Sequence, residues 1–236
     1  WLPGAPLNYQ RDMRTAAEIL ADIHSLKVPE STRIIRREAP AQGIYDECLA
    51  MAQHYLEWDR ADKRVCGLID TLITETGGLP LKETSGAPVC IVNTELNSGN
   101  FLINPDGKSY LIDWEKPLLS EPAQDLAHFL VPTTTFWKTD TILTPEKIAT
   151  FADNYIAAVG DRMDPSTVRE RLPLFFKVTC LRGITWCAMA MREYSEPGRA
   201  LRNEITFKKI QAYLAPDFLS NILDNYVRKD FLCGRA

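Results

Sequence analysis

Asn104-Pro105-Asp106-Gly107 constrains this chain more than any other stretch of it. Proline fits the second position of a reverse turn and glycine the last, and the tetrapeptide stands between two short apolar runs, 101–103 and 110–112. Together they predict a β-hairpin. A third β-prone run, 89–92, precedes it, and elsewhere apolar residues recur mainly at helical spacing. The spacing predicts helices over 11–26, over 46–75 as one long helix or a broken pair closed by Gly77 and Gly78, and over 122–131, 145–160, 165–194, 199–214 and 217–229. Residues 27–43 read as an exposed connection and 79–88 as a loop. The fold class is therefore α+β, mainly helical, with one β-rich interval.

Composition narrows the partners. The 236 residues are 45% apolar and 25% charged, enough for a substantial core. With 27 Lys and Arg against 31 Asp and Glu the net charge is -4, so no basic field exists to hold nucleic acid or an anionic membrane. The longest apolar run, 183–191, is short of the roughly 18 residues of a membrane span. Cys48, Cys66, Cys90, Cys180, Cys187 and Cys233 are scattered without metal-ligand spacing, which argues against zinc. Cys180 and Cys187 read as small hydrophobes on one helix face, and free thiols imply a cytoplasmic location. Trp1 is not a translation start, so residues are expected upstream.

Pairing Asn104 with Gly107 places Asn100 opposite Leu111 and Asp113 opposite Ser98, on strands about 4.8 Å apart. Asn100 and Asp113 then meet at the open end of the hairpin, and Glu95 on the entering loop turns towards both. Oxygen ligands of this kind suit Mg²⁺, which takes one or two protein groups and completes its shell with waters and nucleotide phosphates.

The stretch Val92-Asn93-Thr94-Glu95-Leu96-Asn97-Ser98-Gly99-Asn100-Phe101, followed by Leu111-Ile112-Asp113-Trp114-Glu115, resembles the catalytic and metal segments of the aminoglycoside phosphotransferase and choline kinase group. That group has a protein-kinase-like fold. Its catalytic loop generally reads His-Gly/Asn-Asp-Leu-x-x-x-Asn, its metal loop Ile-Asp-Trp/Phe-Glu, and an Asp follows about a dozen residues later. Asp125 in Pro122-Ala123-Gln124-Asp125-Leu126-Ala127 matches that later Asp, and the helix ending Ile23-His24-Ser25-Leu26 resembles the first helix of the family's large lobe.

The resemblance implies that residues 1–236 form the C-terminal large lobe, with the catalytic and metal loops at 90–131 and a small ATP-binding β lobe upstream. It implies an ATP-dependent phosphotransferase moving the γ-phosphoryl group of Mg-ATP to a hydroxyl of an aminoglycoside, a choline-like amino alcohol or a sugar. Glu95 takes the catalytic position, orienting the acceptor hydroxyl and receiving its proton; Asn100 and Asp113 hold Mg²⁺; Asp125 fixes the catalytic loop through its backbone; Glu115 contacts metal-bound water or substrate. The sequence departs from the pattern at Asn93, where His is usual, and at Glu95, where Asp is usual. The extra methylene matters more than basicity, since a displacement of about 1 Å in a catalytic group can cost about a hundredfold in rate. No glycine-rich loop or strand lysine of the small lobe is found in the sequence.

For acceptor binding the family's cleft maps onto Trp137, Trp186, Glu193 and Glu196, whose acidic and aromatic side chains suit a cation or a sugar hydroxyl. Trp186 in the core and Glu193 in solvent is the alternative. His24 reads as a helix C-terminal or packing residue, and His54 and His128 as structural or exposed. Arg182, Arg192, Arg199 and Arg202 read as ion-pair or surface residues. The rival from another class is a pseudokinase that binds a nucleotide or small ligand without phosphoryl transfer; a weaker rival is a metal-dependent hydrolase. Oligomeric state is not encoded legibly.

Overall fold

The computed structural model describes residues 2–84, 86–196 and 203–229. The short strands among them are β1 (Ala5–Pro6), β2 (Ile35–Arg36), β3 (Cys90–Val92), β4 (Phe101–Ile103), β5 (Tyr110–Leu111) and β6 (Leu118–Ser120). The helices are α1 (Met13–His24), α2 (Pro40–Leu56), α3 (Lys63–Gly77), α4 (Pro122–Leu130), α5 (Pro132–Lys138), α6 (Pro145–Val159), α7 (Val168–Ser195), α8 (Glu204–Tyr213) and α9 (Pro216–Ile222), the last continuing into a π-helical turn, Leu223–Val227. The fold is mainly helical with two small sheets, and it divides into two compact units: residues 1–40 with 82–176, and 41–81 with 177–236.

The first unit holds both sheets, one ordered β1-β4-β5 and the other β2-β6-β3. Helices α1 and α6 pack together, and α1 and α4 pack on β3. An aromatic cluster in which Tyr9, Phe101 and Phe151 each place a ring centroid 5.1 to 5.4 Å from that of Phe129 ties the N-terminal segment, β4, α4 and α6 into one core. Gly4 lies so close to β4 that a Cβ there would stand 3.0 Å from the Leu102 carbonyl carbon, and its φ of +134 is open to glycine alone. Arg171 of α7 grips the buried Glu121 carboxylate through two hydrogen bonds of 2.7 Å and sets where α4 begins.

The second unit has an apolar core. Ile69 and Leu72 of α3 are fully buried, α3 packs on α9, and Asp62 caps α3 by accepting from the Arg64 and Val65 amides. Cys180 and Cys187 are buried on α7. Arg182 pairs with Glu47 and Arg192 with Glu196, so these cations have acidic partners; Arg199, Arg202 and Cys233 lie outside the described residues. By length and composition α7 is apolar enough to cross a membrane, contrary to the sequence reading, but 72% of its most apolar window is buried within the protein, as in a core helix.

Several expectations change. The Asn104–Gly107 turn forms, with the Gly107 amide donating to the Asn104 carbonyl, but the ladder pairs Phe101 with Leu111 and Leu102 with Tyr110. One extra residue on the return arm shifts the register, and the Asn104 amide finds the Ser109 hydroxyl instead of a strand partner. Asn100 therefore meets Ile112, not Leu111, and Asp113 is in step with Gly99, not Ser98. The hairpin is also no isolated ribbon, because β1 pairs with β4. Residues 27–43 contain β2 and the start of α2. Strand β6 and helix α5 were not anticipated, being short and built from leucines and threonines without a period.

Candidate active site

The site is built around a buried carboxylate. Pro122 opens α4, and Asp125 lies in its first turn, where the helix dipole favours negative charge. Asp125 is fully buried and accepts hydrogen bonds from the Asn93 amide at 2.8 Å and the Thr94 amide at 3.0 Å. His24 Nε2 stands 3.3 Å from the same carboxylate, and His24 Nδ1 stands 2.9 Å from the Tyr155 hydroxyl. Burial, then the nearby Cys90 and Asp125, push the Tyr155 phenol well above its ordinary value, so Tyr155 keeps its proton and can donate to His24. The packing of α1 on α6 thus reaches Asn93 and Thr94 through an unbroken polar chain.

From this hub a closed ring of hydrogen bonds runs through the predicted residues. The Glu95 amide donates to Asn93 Oδ1 at 3.1 Å, and Asn93 Nδ2 donates to the Asp113 carbonyl at 2.9 Å. Asn100 Nδ2 donates to the Glu95 carbonyl at 2.8 Å, and the Ile112 amide closes the ring on the Asn100 carbonyl at 2.9 Å. Asn93 uses both ends of its amide, which is how this chain braces the loop without the usual histidine. Among the described residues two non-glycine residues carry left-handed backbone, Thr94 at φ 72 and Asp113 at φ 65. For the β-branched Thr94 this is strain, held by Asp125 on one side and by the Thr94 hydroxyl donating to the Lys116 carbonyl at 3.2 Å on the other.

With Nδ2 committed, Asn100 has its amide oxygen left over. Asp113 is exposed, and among the described residues no hydrogen bond or ion pair engages its carboxylate. The Glu95 carboxylate is half-buried with Lys116 Nζ at 3.9 Å, and the same ammonium is 3.7 Å from the exposed Glu115. Among the described residues no group of three His, Cys, Asp or Glu side chains is arranged to hold a metal, so the donor set is limited to an amide oxygen and separate carboxylates. The Ser98–Asn100 turn that carries Asn100 is capped by Asn97, and His128 Nδ1 lies 3.2 Å from the Leu96 carbonyl.

Glu95, Asn100, Asp113, Glu115 and Asp125 thus fall in one neighbourhood of the first unit. Trp137 is half-buried on α5, which packs against the Ser98–Asn100 turn. Trp186, Glu193 and Glu196 belong to the second unit; Trp186 is 40% exposed and so outside the core, Glu193 is exposed, and Glu196 pairs with Arg192. Sequence reasoning missed Thr94, Lys116, Tyr155 and the bridging part of His24. Only Thr94 left a signal, since it stands where the resembling motif has Gly or Asn, the residues that tolerate left-handed backbone.

Residues 1–172 match the phosphotransferase enzyme family. The chain belongs to that family. Three solved structures show the same phosphotransferase fold. The Plasmodium vivax ethanolamine kinase is 15% identical, with a TM-score of 0.59 over 93% of this chain and 64% of its own. A microcompartment-associated aminopropanol kinase is 14% identical, with a TM-score of 0.61 over 97% and 68%. A spectinomycin phosphotransferase, solved with ADP and spectinomycin, is 15% identical, with a TM-score of 0.57 over 94% and 68%. The chain therefore spans about two thirds of the length of the phosphotransferases it matches in structure. No curated protein matches it in sequence.

Proposed function

We propose that the chain forms the large, C-terminal lobe of a small-molecule kinase with the metal site beside its hairpin. The enzyme would transfer the γ-phosphoryl group of ATP to a hydroxyl of an amino alcohol, aminoglycoside or sugar. The observation that carries this reading is the hydrogen-bonded ring that holds Asn93, Glu95, Asn100 and Asp113 together, fastened from beneath by Asp125. Family membership and the kinase fold support it. So do the acceptors named for the three similar structures, ethanolamine, aminopropanol and spectinomycin, all amines bearing hydroxyls. Three carboxylates in or near the ring, on Glu95, Asp113 and Glu115, favour a cationic acceptor of that kind.

The Asn100 amide oxygen and the Asp113 carboxylate fit Mg²⁺, a hard cation that needs only one or two protein oxygens when nucleotide and water supply the rest. When bound, the metal neutralises charge on the triphosphate. The protein's own task is positioning. Asp125 and the ring hold the loop, and Glu95 orients the acceptor hydroxyl. The bond from acceptor oxygen to γ-phosphorus forms as the bond to the β-phosphate oxygen breaks; the electron pair leaves on ADP, and the acceptor proton passes to Glu95.

The test is Mg²⁺-dependent ADP formation by the intact protein with choline, ethanolamine, aminoglycosides, amino sugars and sugars. Turnover with one acceptor, lost at least a hundredfold in Glu95→Gln, is the expected outcome. A second reading, a module that binds nucleotide or small ligand without transfer, is favoured by one observation: the longer Glu95 side chain stands next to Lys116. Nucleotide binding with no turnover on any acceptor, unchanged in Glu95→Asp, would establish that reading instead.

A further inference from the structure

Lys116 has a side chain held only loosely by its neighbours. Its ammonium stands 3.9 Å from Glu95 and 3.7 Å from Glu115, and its side chain is 69% exposed. Contacts this long between solvated groups contribute little, too little to explain the residue as a structural ion pair. Its main chain, by contrast, is held firmly. The Thr94 hydroxyl donates to the Lys116 carbonyl, Pro117 restricts the residue before it to extended backbone, and Asp113 turns the chain three residues earlier. A flexible four-carbon stem therefore rises from a fixed point beside the Glu95 carboxylate.

That point lies within reach of the transfer step. An acceptor oxygen held by Glu95 sits about 2.6 to 3.2 Å from its carboxylate, and the γ-phosphorus about 3 to 3.5 Å farther on. Lys116 Nζ is 3.9 Å from that carboxylate, and its four-carbon stem is long enough to bring an ammonium to phosphoryl oxygens at such a range. Those oxygens bear the spread negative charge of the transition state, and the same ammonium offsets the repulsion between Glu95 and an incoming triphosphate.

We propose that Lys116 is a further catalytic residue, whose ammonium leaves Glu95 and Glu115 to bind the γ-phosphoryl group as it passes to the acceptor. The inference rests on the phosphotransferase reading. Lys116 keeps all its protons in the step; the acceptor proton still goes to Glu95, and the leaving electron pair to ADP. Because the contact is to the third phosphate, Lys116 distinguishes triphosphate from diphosphate before any acceptor is known.

The experiment is calorimetric titration of the intact protein, as wild type, Lys116→Met and Lys116→Arg, with Mg²⁺ and either ADP or the imido analogue of ATP. Lys116→Met is expected to lose about tenfold in affinity for the imido analogue and none for ADP, the low end for a hydrogen bond to a charged group. Lys116→Arg recovers most of the loss, and thermal midpoints stay together. Equal affinities in Lys116→Met and wild type, or equal losses for both nucleotides, overturn the role of Lys116 alone. Wild-type protein that binds neither nucleotide overturns the phosphotransferase reading and this inference with it.

Discussion

The two compact units handle buried polarity in opposite ways. In the first, Asp12, His24, Glu121, Asp125 and Arg171 are all buried, and Thr94 and Asp113, with their left-handed backbone, are there. In the second, of the described residues only Lys177 is a buried charge, and the interior is built mainly of aliphatic residues with cysteine, tyrosine and a few threonines. Its ion pairs, such as Arg228 with Glu75, lie on the surface. Apolar packing gives stability without specifying the position of any one atom to a fraction of an ångström. A carboxylate that must satisfy two amides and an imidazole does specify it, at a desolvation cost that the second unit avoids. Buried charge is concentrated where atoms must be placed.

Asp125→Asn is the hardest strike at that contrast. An amide nitrogen would face donors, leaving a buried amide or imidazole unpaired, and the expected loss is about 3 to 5 kcal/mol in urea unfolding of the intact protein, together with most of its turnover. A loss under about 1 kcal/mol would mean the buried network is not what holds the loop. Leu72→Ala in the second unit should cost about 2 to 5 kcal/mol through the cavity it leaves, yet nucleotide affinity at temperatures where the variant stays folded should match wild type. A parallel drop in affinity would show that the two units do not divide labour this way.

The smallest effect lies at alkaline pH. Burial pushes the Cys48 thiol up to about 12, whereas an unfolded chain releases that proton near about 8.5. Between those values the unfolded state binds fewer protons, so stability is flat below about pH 8.5 and falls as pH rises, by at most about 1.4 kcal/mol per pH unit for this group. Cys48→Ala should make the curve measured by urea unfolding from pH 8 to 10 less steep, the buried Cys90, Cys180 and Cys187 thiols, also pushed up by burial, keeping the rest of the slope. An unchanged slope would show that the second unit's interior admits the thiolate.

The helices were legible from apolar spacing and, at α4 and α6, from a proline in the first turn: α1, α4, α6 and α7 lie within a few residues of expectation. The 46–75 pattern resolved into a pair, broken between Leu56 and Lys63. The turn at Asn104–Gly107 was legible from backbone chemistry, but the register was not, since Lys108 and Ser109 carry no mark of which belongs to the loop. The residues of the ring could be named because their types and order are themselves the signal. The supports could not: His24 and Tyr155 are 131 positions apart, and only the packing of α1 on α6 brings them to Asp125. Lys116 was invisible for a different reason, since a lysine after a glutamate looks like any solvated pair.

The additional residue in the return arm of the hairpin makes loop length a hidden coordinate of the candidate site. Removing Lys108 by deletion of a single codon would slide β5 by one step against β4, and the side chains of Tyr110 and Leu111 would swap sheet faces together. A change far out on a solvated tip would thereby rotate Asp113 away from its place, an injury that no substitution at that tip could inflict.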